Sequence, residues 1–124
     1  KEGKDVTIFA TGIMVSEAMD AAKSLAEDGI DAEVIDIHTI KPLDEKAIIE
    51  SAKKTGLVVT AEEHSVIGGL GGAVAELLSR EIPTKMAMVG QQDTFGESGK
   101  PDELKEKYGM TAKHIVEAVK KTCK

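Results

Sequence analysis

Short stretches rich in Val, Ile and Thr alternate with longer stretches of helical periodicity along most of this chain, and that alternation excludes most architectures at once. "DVTIFAT" (5–11) reads as a buried strand followed by Gly12. Val15, Ala18, Met19, Ala22, Leu25 and Ala26 then recur at helical spacing as far as "EDG", where Gly29 can supply a left-handed cap. "DAEVIDI" (31–37) is the next strand, and "HTIKPLD" turns it into a helix with Asp44 as N-cap and Glu45 in the first turn. Gly56 ends that helix, "GLVVTAE" (56–62) predicts a third strand, a glycine-rich stretch opens a third helix through Arg80, and "TKMAMVG" (84–90) predicts a fourth strand. Beyond it "QQDTFGESGKP" reads as a loop, "DELKEKYG" as a short helix, and "TAKHIVEAVKK" as a final helix with Thr111 as N-cap.

Strands separated by single helices pair in parallel through right-handed crossovers, which places helices on both faces of the sheet. The fold class is therefore α/β, a three-layer α/β/α domain over 1–124 with a mostly parallel sheet of four to five strands. Composition narrows the function. A formal charge of -6, with Arg80 as the only arginine, leaves no clustered basic surface for nucleic acid. Phe9, Phe95 and Tyr108 are too few aromatics to stack bases. Cys123 stands alone, which excludes an internal disulfide or a cysteine metal cluster and suits a cytoplasmic setting. No apolar stretch approaches the length of a membrane span. A start at Lys1 that enters a strand at once is the expectation for a piece of a longer polypeptide.

The stretch "EEHSVIGGLGGAVAELL" (62–78) poses the functional question. Gly69 and Gly71 fit the first two positions of a dinucleotide fingerprint, but Val74 occupies the third, and no Gly-Lys-Ser/Thr follows as a P-loop needs. Two readings stay open: close packing of helix against sheet, and an anion held by free amides at the helix start. His64, in the loop after strand three, is a candidate acid or base beside Glu62 and Glu63, weighed against a plain loop histidine. Glu62 and Glu63 point opposite ways on a strand end and form no shared-proton dyad; one of them caps the following turn. His38 is placed in a turn and His114 in an exposed first helical turn. Met86 and Met88 read as core residues of a strand buried on both faces.

Taken in order, "DVTIFATG", "IDIHTIKPLD", "VVTAEEHSVIGGLGGAVAELL" and "VGQQDTFGESGKPDELKEKYGMTAKHIVEAVK" closely resemble the C-terminal domain of transketolase. "DTFGESG" and "YGMT" look most like the split form, whose C-terminal half is a separate polypeptide. The same domain type occurs in 1-deoxyxylulose-5-phosphate synthase, in the β subunit of 2-oxo acid dehydrogenase E1 and in pyruvate:ferredoxin oxidoreductase. The resemblance implies a transferase that depends on thiamine diphosphate and Mg²⁺ and moves a two-carbon ketol unit between sugar phosphates of the pentose phosphate pathway. It also implies that the cofactor lies between a pyrophosphate-binding and a pyrimidine-binding domain, neither of which is in these residues. This domain then serves assembly, within a homodimer or split-subunit complex, and carries no catalytic, cofactor-binding or metal-binding residue.

The family fold implied is a five-stranded sheet with one antiparallel strand contributed just upstream, leaving four parallel strands in the order 2-1-3-4. That order places a topological switch between strands one and three, with Thr11, Gly12, Glu63, His64 and Gly68 on its rim. Together with Phe95 these form a candidate anion or interface site. The loops "EEHSVIGG" and "DTFGESG" are candidate contacts with other domains, because Ile67, Leu70 and Phe95 are poor residues to leave in water. The alternatives are the same domain in a related thiamine-diphosphate enzyme, or a small-ligand-binding regulatory module at the switch.

Overall fold

All five residues of β1 (Val6–Ala10) are buried, so this strand needs a neighbour on each edge and a layer on each face. It has both in the computed structural model, which describes residues 1–38, 43–65, 69–91 and 111–123. The remaining elements are α1 (Met14–Glu27), β2 (Ala32–Asp36), α2 (Glu45–Thr55), β3 (Leu57–Ser65), α3 (Leu70–Glu81), β4 (Lys85–Gln91) and α4 (Ala112–Cys123). The strands form one parallel sheet, as the sequence pattern predicts, in the order β2-β1-β3-β4 that the family resemblance implies.

Strand alternation divides the core. Val6, Ile8 and Ala10 of β1 and Val59 and Ala61 of β3 face α1 and α4, where Leu25, Ile115 and Val119 close over them. Phe9 and Val58 face the other way, onto Ile48 of α2 and Leu77 and Leu78 of α3. Helix ends follow their capping residues: Asp44 Oδ1 accepts the Ala47 amide at 3.2 Å, and Gly56 takes the left-handed conformation at φ 75°. At the start of α4 the Thr111 carbonyl accepts the amides of His114 and Ile115. Near its end Lys120 reaches Asp28 at 2.6 Å, tying α4 to the end of α1 through a solvent-exposed pair of modest worth.

At the outer edge of β2, Lys1 exchanges both backbone bonds with Val34, the Val34 amide donating at 2.9 Å and the Lys1 amine at 3.3 Å. A mutual exchange of this kind is the mark of antiparallel pairing, the direction implied for the fifth strand of the family sheet.

Three sequence expectations change. β3 runs on to Ser65, so Glu63 and His64 belong to a strand and not to the loop after it. The cause is its partner: after Ala61↔Val89 the next pairing is Ser65↔Gln91, and a bulge takes up the extra β3 residues. Among the described residues β4 is also an edge strand, with Met86 half-buried and Met88 37% exposed, and it is not buried on both faces. Gln91, placed by its sequence in a loop, ends β4. The rest of that loop and the helix expected at "DELKEKYG" lie outside the described residues.

One buried charge joins the sheet to α2. Glu33 points from β2 toward Ser51, which donates to its carboxylate, while Lys54 and the Gly3 amide bond the other oxygen. Ser51 also meets Thr7 at 2.7 Å, and Thr7 meets Thr55 at 2.8 Å, so a polar chain crosses from β1 to α2. Burial pushes the Glu33 carboxyl up, but the bonds from Lys54, Ser51 and Gly3 outweigh it and hold the group below its ordinary value. A carboxyl depressed in the folded state stabilises above its unfolded pKa, and that share is lost as pH falls through the folded one. Glu33→Gln should therefore cost about 1 kcal/mol at neutral pH, discounted for the half-exposed Lys54, with the gap to wild type closing below pH about 4 in denaturant titrations.

Candidate functional site

The β3–α3 connection answers the question raised by its glycines. Val58, Thr60 and Glu62 lie on the β3 face covered by α3, and Glu62, at 1% exposure, is carried inward with them. Its carboxylate accepts the Leu70 amide through Oε2 and the Gly71 amide through Oε1, the latter at 3.3 Å. These are among the first amides of α3, which have no partner within the helix, and the helix dipole favours the negative charge placed there. Of the two glutamates, Glu62 is the cap. Gly69 makes room for it and Gly71 for the sheet: a Cβ on Gly69 would come within 2.6 Å of Glu62 Oε2, and one on Gly71 within 2.8 Å of Met88 Sδ. Close packing thus accounts for both glycines.

On the other side of the switch, the Thr11 amide donates to the Ala61 carbonyl at 3.2 Å, carrying the β1–β3 pairing up to the rim. The Thr11 and Gly12 carbonyls accept the Met14 and Val15 amides at the start of α1. The first amides of α1 and α3 on this rim are bonded within the chain. Gly12 is exposed, and Ile13 beside it is a large apolar residue left 49% exposed at the rim. Thr11 and Gly12 are therefore brought beside the end of β3, whose backbone includes Glu63 and His64. Gly68, Ile67 and Phe95 lie outside the described residues. Leu70 does not belong to a contact surface: it is fully buried in the core shared by α2 and α3.

His38 is exposed, with Nδ1 3.8 Å from Asp36. His114, expected in the open, is half-buried with Nδ1 2.6 Å from the Thr111 hydroxyl. Among the described residues no group of three His, Cys, Asp or Glu side chains could hold a metal ion, and no helix is long and apolar enough to cross a membrane. A groove of about 470 Å³ lies away from the rim, between the outer edge of β2 and α2, lined by Glu33, Val34, Glu50 and Lys54 among others. The buried Glu33 went unrecognised from sequence, although an acid between the apolar residues Ala32 and Val34 in a predicted strand was the available signal.

A four-stranded parallel sheet covered on both faces, with a self-capped helix at its switch point, defines a doubly wound α/β domain. Residues 1–115 match the family model for the transketolase C-terminal domain, and the chain belongs to that family. It is 60% identical over 118 residues to the 6-deoxy-6-sulfo-D-fructose transketolase subunit SqwH of Clostridium sp. (strain MSTE9), covering 95% of this chain and 37% of that protein. It is 49% identical to a putative transketolase C-terminal section of Methanocaldococcus jannaschii, over 97% of this chain and 39% of the relative. A 1-deoxy-D-xylulose-5-phosphate synthase of Desulforudis audaxviator is 44% identical, over 94% of this chain and 19% of that enzyme. A solved structure described as a split-gene transketolase in an inactive β4 tetramer superposes with a TM-score of 0.96 at 58% identity, over 99% of this chain and 40% of that one. The chain thus spans less than half the length of these relatives.

Replacing Glu62 by Ala leaves two buried amides unpaired and should cost about 1–3 kcal/mol of stability. Gly69→Ala should destabilise by a similar amount, because its methyl group meets the carboxylate. Combining the two should cost clearly less than the sum in chemical denaturation, since Glu62→Ala removes the obstacle; strict additivity would separate Gly69 from the cap.

Proposed function

We propose that this chain is the assembly domain of a thiamine-diphosphate-dependent transketolase, inactive alone and required by the complete enzyme for ketol transfer between sugar phosphates. The observation that carries this reading is the match to a transketolase subunit, a transketolase C-terminal section and a split-gene transketolase, of each of which the chain spans less than half the length. The cofactor would supply the carbon-transfer chemistry of the complete enzyme. The described residues here do not fit its Mg²⁺–diphosphate: they offer no acidic cluster, and Glu62 already holds the α3 amides. The cofactor then belongs to the pyrimidine- and pyrophosphate-binding domains.

This chain's part is to present a contact surface. We assign it to the rim at the switch point, comprising Thr11, Gly12, Glu63, His64 and Gly68, with Ile13 added from the structure and Phe95 of the loop "DTFGESG" as a further candidate contact. The exposed Ile13 beside internally satisfied amides favours docking of a neighbouring domain or subunit over anion binding. The complex is read as a homodimer or split-subunit assembly in the cytoplasm. A second reading concerns the substrate: the relative named for 6-deoxy-6-sulfo-D-fructose favours a sulfonated ketose donor as the alternative to a phosphorylated one.

The complete protein should transfer ketol from xylulose 5-phosphate to ribose 5-phosphate, and a version lacking these 124 residues should lose both activity and its oligomeric mass. Activity with 6-deoxy-6-sulfo-D-fructose alone would move the assignment to the second reading. A deletion that stays active and assembled would remove the assembly role. Phe95→Ala and Ile13→Ser should each weaken association by about tenfold or more by analytical ultracentrifugation, the effect of losing one apolar anchor.

A further inference from the structure

Thr60 and Met88 are register partners on β3 and β4, and their side chains converge on one point of α3. A Cβ on Gly71 would lie 2.8 Å from Met88 Sδ and 3.1 Å from Thr60 Oγ1. Thr60 is fully buried, and its hydroxyl finds no hydrogen-bond partner among the described residues. A buried hydroxyl without a partner is costly, so its presence beside a thioether, itself only a weak acceptor, needs a reason. Met88 is reachable from solvent: it is 37% exposed and lines a groove of about 300 Å³ with Leu78, Pro83 and Met86.

We infer that Met88 is a peroxide-responsive modification site whose sulfoxide is held by the Thr60 hydroxyl. A hydroperoxide delivers one oxygen to Met88 Sδ, forming the S–O bond as its own O–O bond breaks. Sulfur is oxidised by two electrons, the peroxide is reduced, and water or the corresponding alcohol leaves. The weak thioether acceptor then becomes a strong one, and the unused Thr60 O–H is the donor placed to meet it. Sulfoxide normally disrupts packing by putting a polar group among apolar neighbours; here a polar partner is already in place. Met14, fully buried in the α1 core, and Met19, 42% exposed on α1, serve as internal references for access.

The test treats the intact chain with graded hydrogen peroxide, maps sulfoxides by peptide mass spectrometry, and follows thermal unfolding of wild type, Thr60→Val and Met88→Leu. Met88 should oxidise alongside Met19 while Met14 stays reduced, and methionine sulfoxide reductase should reverse it. Reduced Thr60→Val should melt no lower than wild type, because it removes an unpartnered hydroxyl without changing shape. After oxidation, Thr60→Val should lose more than wild type, by on the order of 4 °C in midpoint, and Met88→Leu should abolish that difference. The inference fails if Met88 is still reduced when Met19 is fully oxidised, or if oxidation lowers wild type and Thr60→Val equally. Neither result depends on transketolase activity, so this inference and the assembly role stand or fall separately.

Discussion

A strand buried along its whole length dictates what must surround it. β1 offers Ile8 to one face and Phe9 to the other, and each demands an apolar layer. Its neighbours β2 and β3 run parallel to it, so no hairpin can join them, and α1 and α2 become the crossovers that bury it. The switch point lies beside β1 for the same reason: the chain leaves it toward β2, then returns past it to β3. Thr11 and Gly12 occupy that position because they follow the central strand, and the end of β3 arrives next to them through the Thr11–Ala61 bond.

The interior polar groups sort by how they are answered. Glu33 is met by an ammonium, a hydroxyl and an amide, and Glu62 by two helix amides. Both tie a strand to the helix that follows or covers it, β2 to α2 and β3 to α3. Carboxylates in these places fix the separation of sheet and helix more sharply than apolar packing alone, because a hydrogen bond fails over a displacement that a methyl contact tolerates. Glu62 also sets what the glycine-rich turn can offer: a helix start already filled by the chain's own anion has little left for a foreign one.

Features governed by local chemistry were legible in the sequence. Asp44 caps α2, Gly56 ends it, and the strand order follows from the alternation and the family likeness. What depended on a partner across the fold was not. β3 continues to Ser65 because Gln91 is there to pair with it, and no property of "EHS" itself announces a strand. Met86 and Met88 match a buried pattern, but their position at the sheet edge decides their exposure. Leu70 looked like a loop residue in search of a partner until the helix start, fixed by Glu62, carried it into the core. For the rim, sequence order brought Thr11 and Gly12 beside β3, while the exposure of Ile13 is set by the fold and has no signal in the sequence.

The placement of α4 has a consequence for the order in which this domain can complete itself. Ile115 and Val119 are fully buried against a layer built by α1, β3 and β4, all of which precede them in the chain. During synthesis the sheet and its α2–α3 side can close while the opposite face, with Val59 and Ala61 beneath it, still waits for the last helix to emerge. Until then the part of that face beneath α4 is open to water and to other nascent chains, the condition under which polypeptides misassociate. Within the domain, the surface that α4 covers is therefore the last to close.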